Sequence, residues 1–423
     1  MIAVADSCDV LVIGGGPAGS ACATLLARAG CDVLLVDKAV FPRDKLCGDF
    51  LTPGTVRLLN ALDLADADLK SRAAPLRGMD LTFEGKLVRL PFPADAGGWA
   101  IGRRDLDAGL LRSARAAGAR VMEGFRVDEV QDARGPVLVS GAGRETGRCA
   151  IEASYVVDAG GRNAVVPLRR GWRRSARWPV RCAVGAWFEN VSGLSDRGEM
   201  HVVGAPTNGY VGVSPIGGGI AGAAAVVSGN VFAASRRSPL DLLWRVIRSN
   251  TDLRRRFDGA RLVTQVRGAG PLAHGASRFA GGRLLLAGDS AAFMDPFTGE
   301  GVQAAILGGS LAARVLAPLF VEGRSGTGDS SEPVPAAYER ELRRHLRPRF
   351  ALARLLQALI VTRPAARRVA AVLARREDLA AAVIRVTGGL DHPLSLLAAG
   401  FLGPLLREAA LAPFARPAME RIE

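Results

Sequence analysis

Three glycines near the start of the chain have the spacing that a phosphate-binding turn requires. Gly14, Gly16 and Gly19 follow an apolar run, residues 10–13, that predicts a buried strand, and they lead into a helical pattern. Glycines at these positions let the backbone approach a pyrophosphate, and a helix amino terminus offers N–H groups and the positive end of its dipole. A second apolar strand ends at Asp37, which can accept hydrogen bonds from a ribose. The unit therefore predicts a dinucleotide site.

The overall composition is that of a globular protein and argues against nucleic-acid binding. The chain has 423 residues, 49% of them hydrophobic and 23% charged, which suffices for a large core. Its net charge of +14 comes almost entirely from arginine. No nucleic-acid recognition module and no basic patch interleaved with aromatic residues accompanies that charge. We therefore expect no nucleic-acid partner.

The cysteines and the apolar segments bear on metal binding and location. None of the six cysteines forms a C-x-x-C pair or has the spacing of a zinc site, which favours a reducing compartment and no metal. No basic and apolar leader precedes the first strand, and no run of about 18 apolar residues occurs. We expect a cytoplasmic protein without a transmembrane helix.

Four motifs, taken in chain order, resemble those of one enzyme superfamily. After the glycine turn come Arg-x-x-Leu-Asp from Arg103, Asp-Ala-Gly-Gly-Arg from Asp158, and the pair Gly288-Asp289. The series is similar to that of the FAD-dependent oxidoreductases related to p-hydroxybenzoate hydroxylase, which include aromatic hydroxylases, flavin halogenases and geranylgeranyl reductases. The resemblance covers roughly residues 8–320. It implies FAD as the cofactor, and we expect NAD(P)H as the electron donor.

The resemblance also implies a role for each matching residue. Asp37 would bind the adenosine ribose, Asp289 a hydroxyl of the ribityl chain, and Arg103 the region between the phosphates and that chain. The other cofactor-site residues implied by the matching loops are Arg43, Gly48, Gly288, Pro296, Gly299 and Gly301. From the residues alone, Asp289 has a second interpretation as a helix N-cap.

Three features favour the geranylgeranyl reductase branch of that superfamily. Cys47-Gly48 resembles its Cys-Gly loop, residues 295–301 resemble its Pro-Phe-Thr-Gly-Glu-Gly segment, and Ala291 stands where many of the hydroxylases have histidine. No W-x-W-x-I-P segment supports a halogenase.

The substrate-contacting part of the pattern is altered. Of that branch's aromatic substrate motif only Tyr210 and Pro215 remain, with Gly212 and Ser214 at aromatic positions. We assign Tyr210 and Pro215 to the substrate site, and the two small residues imply a substrate space different from that of the branch.

Cys47 is the candidate catalytic residue, with a structural alternative. A thiol beside the flavin could position the substrate or donate a proton, and the neighbouring Asp49 would raise its pKa and keep it neutral. A lone cysteine is otherwise most often a small buried hydrophobic residue. Both interpretations remain open from the sequence.

We predict an α/β fold with a Rossmann-like FAD-binding domain, a sheet-containing substrate domain and a C-terminal helical region. The FAD-binding domain takes residues 1–75, 97–170 and 260–320, and the substrate domain residues 76–96 and 171–259. Residues 321–423 are the helical region, with a flexible loop at 322–335 and a helix break at Pro348. Its arginine-rich helices are either a solvated cap on the FAD-binding domain or a peripheral contact with anionic lipid.

Together these observations predict an FAD-dependent oxidoreductase that acts on a small apolar substrate, isoprenoid-like or polyketide-like. The leading reaction is reduction of a carbon–carbon double bond by reduced flavin, which the protein orients. The alternative is a monooxygenase that hydroxylates an aromatic or polyketide substrate with dioxygen and NAD(P)H. A third hypothesis is a protein that only binds FAD or nucleic acid, which would show no flavin reduction by a nicotinamide.

Overall fold

The structure is a computed structural model that describes most of the chain. The described residues are 4–83, 85–132, 135–144, 146–175, 180–204, 207, 209–235, 238–293, 295–320, 333–361, 363–398 and 400. The predicted loop at 322–335 lies mostly outside them. The two residues of that loop at 334 and 335 are helical, because they begin a long helix.

Strands and helices are interspersed along the described part of the chain, and the last part is helical. The strands are β1 Val4–Ile13, β2 Val33–Asp37, β3 Phe50–Leu51, β4 Ala74–Leu76, β5 Gly78–Phe83, β6 Lys86–Pro91, β7 Gly98–Ala100, β8 Arg120–Glu123, β9 Arg126–Gln131, β10 Val137–Gly143, β11 Gly147–Asp158, β12 Arg173–Ser175, β13 Arg181–Glu189, β14 Arg197–Val203, β15 Gly209–Gly217, β16 Ile220–Ser228, β17 Arg261–Leu262, β18 Arg267–Leu272, β19 His274–Ala276, β20 Ala280–Gly281, β21 Leu284–Leu286 and β22 Ala292–Phe293. The α-helices are α1 Pro17–Arg28, α2 Pro53–Ala61, α3 Ala67–Arg72, α4 Arg103–Ala116, α5 Val165–Arg169, α6 Gly229–Ala234, α7 Pro239–Ser249, α8 Thr251–Arg256, α9 Gly301–Leu316, α10 Val334–Val361, α11 Arg363–Arg375, α12 Glu377–Thr387 and α13 Ser395–Ala398. Short 3₁₀ turns lie at Gly161–Asn163, Gly288–Ser290, Pro296–Thr298 and Ala317–Leu319.

The first sheet has the Rossmann-like arrangement predicted for the nucleotide domain. Its order is β20-β21-β11-β1-β2-β8, with β10 and β9 added antiparallel beside β11. The central strand β1 pairs in parallel with β2 and with β11. Its apolar run, residues 10–12, is fully buried, as expected for a parallel strand covered on both faces. The α/β fold class is confirmed.

Two glycine contacts bring the late part of the chain against the first helix. A Cβ at Gly309 of α9 would lie 2.1 Å from the carbonyl oxygen of Ala18 in α1, so only glycine permits this approach. A Cβ at Gly288 would lie 3.0 Å from the Ala18 Cβ. The Gly288-Asp289 turn therefore lies beside the first turn of α1.

The second sheet stands beside the first and has two different faces. Its order is β17-β13-β16-β15-β14-β5-β6, and β18 pairs with β13. One face, which includes Val184, Val211 and Ala225, packs against α7 and α8. The other, which includes Ala183 and Tyr210, faces the loops of the nucleotide domain.

One predicted boundary is wrong. We assigned residues 260–320 to the FAD-binding domain, but β17 and β18 pair antiparallel with β13 of the second sheet. The chain returns to the first sheet only at β20 and β21. Periodicity identifies a strand but does not say which sheet it joins, and that choice depends on a partner about 80 residues away.

The C-terminal helices connect the two sheets. The first half of α10 packs its Tyr338, Leu342 and Leu346 into the core of the first sheet. Its second half, with α11 and α12, packs against the edge of the second sheet at β6. Pro348 lies inside α10 rather than at a break. Because both halves of the helix are held by separate cores, the packing outweighs the one hydrogen bond that proline removes.

Helix α9 and the turn after it, Gly301–Leu319, are long and apolar enough to cross a membrane, with a mean hydropathy of 1.4. Half of this segment is buried inside the structure. It packs between α1 and α10, and a core helix passes the same test of length and composition. The segment therefore carries no membrane assignment.

Candidate functional site

The first βα turn is built around backbone groups. Gly14 has a φ of +103°, and a Cβ there would lie 2.5 Å from the Ala159 carbonyl oxygen. Gly16 precedes α1 without a side-chain cap, so the first N–H groups of the helix are left for a ligand. Asp37 accepts hydrogen bonds from the Gly15 N–H at 2.7 Å and from the Ala39 N–H at 2.8 Å. Asp37 therefore stabilises the conformation of the turn through these two hydrogen bonds.

The end of β11 repeats this pattern on the neighbouring strand. Asp158 is fully buried and accepts hydrogen bonds from the N–H groups of Gly160 at 2.9 Å and Val166 at 2.8 Å. Burial raises the pKa of Asp158 to about 6. The Gly161 N–H donates to Ser290 Oγ at 3.0 Å, which joins this turn to the Gly288-Asp289 turn. Three of the four motifs of the sequence thus meet at one edge of the first sheet.

Two of the predicted arginines are joined by one buried carboxylate. Arg103 makes a bidentate pair with Asp107, with both N–O distances at 2.8 Å, and Arg43 Nη1 lies 3.1 Å from the same carboxylate. Burial alone would lower the pKa of Arg103, but Asp107 holds it well above its usual range. A Cβ at Gly16 would lie 3.6 Å from Arg43 Nη2, so this cationic cluster adjoins the first turn. It can meet a phosphate there.

Asp289 is not the cap of either helix that follows it. The N-cap residues of the two following helical turns are Asp295 and Glu300. Within the described part of the chain, its carboxylate accepts no hydrogen bond, and Lys45 Nζ lies 3.8 Å from Oδ2. The backbone carbonyl of Asp289 is 2.7 Å from His274 Nε2. The turn is therefore held by its backbone, and the carboxylate is left for a ligand.

The Cys47-Gly48-Asp49 segment joins the nucleotide domain to the second sheet. The Gly48 carbonyl accepts a hydrogen bond from Ser214 Oγ at 2.7 Å, and Asp49 accepts one from Trp187 Nε1 at 2.7 Å. Among the described residues, no atom outside its chain neighbours lies within 4 Å of a Cβ placed on Gly48. The loop therefore borders open space, which a flavin or a substrate could fill.

Two titratable groups stand side by side in that segment. Burial raises the pKa of the Cys47 thiol, and the nearby Arg103 only partly opposes this shift. Burial raises the pKa of Asp49 to about 7, although the Trp187 hydrogen bond favours its ionised form. At pH 7 the Cys47 thiol is therefore neutral and the Asp49 carboxyl is partly protonated. Either group can hold a proton for transfer.

The loop from Asp295 to Gly301 lies between the second sheet and α9. Asp295 accepts hydrogen bonds from the Tyr210 hydroxyl at 2.7 Å and from the Phe297 N–H at 3.1 Å. Gly299 has a φ of +71°, and its Cβ position lies 2.9 Å from the Phe50 ring, so glycine is needed for both reasons. A Cβ at Gly301 would meet no atom of the described residues within 4 Å. Of the three predicted residues, Pro296 and Gly301 are thus exposed, whereas Gly299 packs against Phe50.

The two predicted substrate residues do not share a face. Tyr210 lies on the inner face of β15, where its ring packs edge-on against Phe297 with centroids 5.4 Å apart. Side chains alternate along a strand, and Val211 and Val213 pack on the outer face. Pro215 follows in that outer row, so the structure does not bring it together with Tyr210.

Sequence reasoning missed several residues of this site. They are Arg181, Trp187, Glu300 and Arg349, together with the carboxyl role of Asp49. Each acts through a partner 49 or more positions away in the chain, as in the pairs Asp49–Trp187 and Glu300–Arg349. No local sequence pattern identifies such a pair. Among the described residues, no group of three His, Cys, Asp or Glu side chains is placed to hold a metal ion.

Comparison with known proteins agrees with this geometry. A family model for the FAD binding domain matches residues 7–341. The menaquinone reductase of Mycobacterium tuberculosis is 35% identical over 330 residues, which cover 74% of this chain and 78% of that protein.

Solved structures share the fold. A geranylgeranyl bacteriochlorophyll reductase-like protein from Thermoplasma acidophilum superposes with a TM-score of 0.75 at 22% identity, over 96% of this chain and 100% of that one. The flavin-dependent halogenase CmlS gives a TM-score of 0.72 at 25% identity over 81% of this chain. This chain spans 63% of the length of CmlS.

The glycine turn, the Asp158 turn and the Gly288-Asp289 turn all lie within the matched residues 7–341. The chain therefore belongs to the FAD binding domain family and is an FAD-dependent oxidoreductase.

Proposed function

We propose that this enzyme reduces a carbon–carbon double bond in an apolar substrate, namely a quinone that carries an apolar chain. The observation that carries the proposal is the Cys47-Gly48-Asp49 segment, which sets two neutral acids between the nucleotide turn and the inner face of the second sheet. Addition of a hydride to a double bond needs a proton at the neighbouring carbon, and such an acid supplies it. The quinone is proposed because a relative is named menaquinone reductase.

The site fits FAD by its shape and by its polar groups. The open positions at Gly48 and Gly301 leave room for a planar ring, and the Asp289 carboxylate has no hydrogen bond among the described residues. The α1 amino terminus would hold the pyrophosphate with Arg43 and Arg103 nearby. Asp289 would hold the ribityl chain. Bound FAD supplies the hydride chemistry, and NAD(P)H is the proposed electron donor.

The inner face of the second sheet would receive the substrate. It carries an apolar cluster that comprises Ala183, Met200, Tyr210, Val226 and Leu272, with Leu46, Phe293 and Phe297 packed against it, and the buried Arg181 lies beside Tyr210. Among the described residues, a Cβ at Gly212 on this face would meet only two backbone oxygens, at 3.9 and 4.0 Å. An apolar substrate gains from burial on such a surface, whereas a charged one would lose its hydration.

The reaction is tested by its dependence on oxygen. The purified flavoprotein is reduced by NADPH or NADH without oxygen, and a menaquinone is then added. We expect re-oxidation of the flavin and a product that is heavier by two hydrogen atoms after its ring has been returned to the quinone state, because reduction of the ring to a hydroquinone adds the same mass. Product that forms only when dioxygen is admitted would contradict the reductase and support the monooxygenase.

Replacement of Asp289 by alanine tests its assigned contact with the cofactor. We expect Asp289→Ala to weaken FAD binding by roughly 10- to 100-fold, because one charge-assisted hydrogen bond contributes about 1.5–3 kcal/mol. Titration of the apoprotein with FAD measures this. Asp95→Ala, at an exposed aspartate, is the matched control. An unchanged affinity in folded Asp289→Ala would remove Asp289 from the FAD site.

A comparison of two variants identifies the proton donor. Asp49 has a raised pKa of about 7, so it is protonated below that pH and loses its proton above it. If Asp49 donates, the rate of substrate reduction falls as the pH rises through about 7, and Asp49→Asn abolishes this dependence. Cys47→Ser is expected to slow the same step by about 10- to 100-fold. Stopped-flow measurement of each half-reaction decides, since flavin reduction by the nicotinamide stays unchanged in both variants.

The outer face of α10 supports a proposal about location. Exposed side chains recur at helical spacing along it, and they are Arg340, Arg344, Arg347, Arg354 and Leu355. Glu341 offsets part of this charge through Arg340 and Arg344. We propose a cytoplasmic enzyme that contacts an anionic membrane surface through this face.

Sedimentation with vesicles tests this contact. The double variant Arg347→Gln/Arg354→Gln is expected to bind vesicles of an anionic phospholipid more weakly than the native chain. The control Arg254→Gln/Arg255→Gln removes the same charge from exposed positions on α8. An equal loss of vesicle binding in both double variants, or no vesicle binding by the native chain, would contradict the membrane contact. It would support the interpretation of α10 as a solvated cap.

A further inference from the structure

The loop 295–301 carries a buried carboxylate near each end. Asp295 is 3% exposed and Glu300 is 2% exposed. A carboxylate taken out of water is costly unless a cation or several hydrogen bonds compensate it. The partners of these two groups therefore determine where the loop can lie.

The Asp295 end is held by the second sheet. Besides the Tyr210 hydroxyl, Arg181 of β13 approaches, with Nη1 3.6 Å from Asp295 Oδ2. Arg181 is itself 3% exposed, and neither of these two atoms has a hydrogen-bond partner among the described residues. The attraction is electrostatic and acts in a poorly solvated space, where it is only weakly screened.

The Glu300 end is held by α10. Arg349 donates a hydrogen bond to Glu300 Oε1. Burial raises the pKa of Glu300, and Arg349 is the main group that opposes the rise. Glu300 is also the N-cap residue of α9, so the negative charge sits at the positive end of a 16-residue helix.

The position of Arg349 is itself fixed. Tyr338, eleven positions earlier on the same helix, is fully buried and donates to the Leu286 carbonyl at 2.7 Å. Leu286 ends β21, two residues before Gly288. The helix that carries Arg349 is thus anchored next to the Gly288-Asp289 turn. A movement of α10 would therefore disturb both this turn and loop 295–301.

We propose that Arg349 is a positioning residue for the cofactor: through Glu300 it holds loop 295–301 against the flavin, while Arg181 holds the other end through Asp295. This inference rests on the proposed placement of that loop beside the flavin. It makes α10, outside the nucleotide fold proper, part of the machinery that orients the cofactor. The inference also means that the second sheet and α10 both hold loop 295–301.

Variants of the Arg349–Glu300 pair test the proposal. Arg349→Met keeps the length of the side chain but leaves Glu300 without its cation. We expect FAD affinity to fall about tenfold at pH 8 and to recover as the pH is lowered, because protonation removes the unpaired buried charge. The double variant Arg349→Met/Glu300→Gln is expected to lose this pH dependence and to bind FAD more tightly than Arg349→Met at pH 8 but less tightly than the native chain, since it leaves no buried charge but lacks the pair.

Two further variants serve as controls. Arg349→Lys keeps the cation and is expected to bind FAD more tightly than Arg349→Met. Arg347→Met removes an exposed arginine two positions away and is expected to leave FAD binding unchanged. Circular dichroism and the visible flavin spectrum are recorded for each. If Arg349→Met does not fold, Glu300→Gln alone decides, because it is expected to shift the flavin spectrum and lower FAD affinity.

Two results would overturn the proposal. One is a folded Arg349→Met or Glu300→Gln with native FAD affinity and flavin spectrum. The other is an equal, pH-independent loss in Arg349→Met and in the double variant, which would mean that Arg349 serves only packing. These measurements use FAD alone. Failure of the native chain to reduce a quinone would therefore refute the proposed reaction without touching this inference.

Discussion

The close packing of α9 on α1 is the constraint on which the rest of the site depends. Gly309 lets the backbones approach until a Cβ would fall 2.1 Å from the Ala18 carbonyl oxygen. Helix α1 begins at the glycine turn, and α9 begins at the end of loop 295–301. Because both helices start at the same edge of the first sheet, their contact places the glycine turn and loop 295–301 together. A bulkier residue at Gly309 would separate them.

Charged side chains at this edge of the first sheet form ion pairs with one another. Asp107 holds Arg43 and Arg103, and Glu300 holds Arg349. Such pairs contribute little net stability, since desolvation offsets the attraction, but breaking one leaves an uncompensated buried charge. Their effect is to keep cationic and anionic groups in set positions before any ligand arrives. A site that must orient a dinucleotide gains from that rigidity.

The second sheet supplies the contrasting surface. Its outer face is closed by α7 and α8, whereas its inner face presents apolar and small side chains to the loops of the nucleotide domain. Asp49 and Ser214 tie the two domains together across this gap through Trp187 and the Gly48 carbonyl. In the proposed function, the acid is held where an apolar substrate and a flavin would meet, and burial raises its pKa to about 7 against the opposing effects of the Trp187 hydrogen bond and Arg103.

The sequence by itself determined the local units, since glycine spacing, apolar runs and the acid after β2 are set by neighbouring residues. The Rossmann-like unit and the Gly288-Asp289 turn could be recognised in this way. The tertiary structure decided what depends on distant partners: that β17 and β18 join the second sheet, that Pro348 stays inside a helix, and that Tyr210 donates to Asp295 rather than standing free. It also decided the Glu300–Arg349 pair and the raised pKa of Asp49. Burial and charge pairing are properties of neighbours in space, and a linear pattern does not encode them locally.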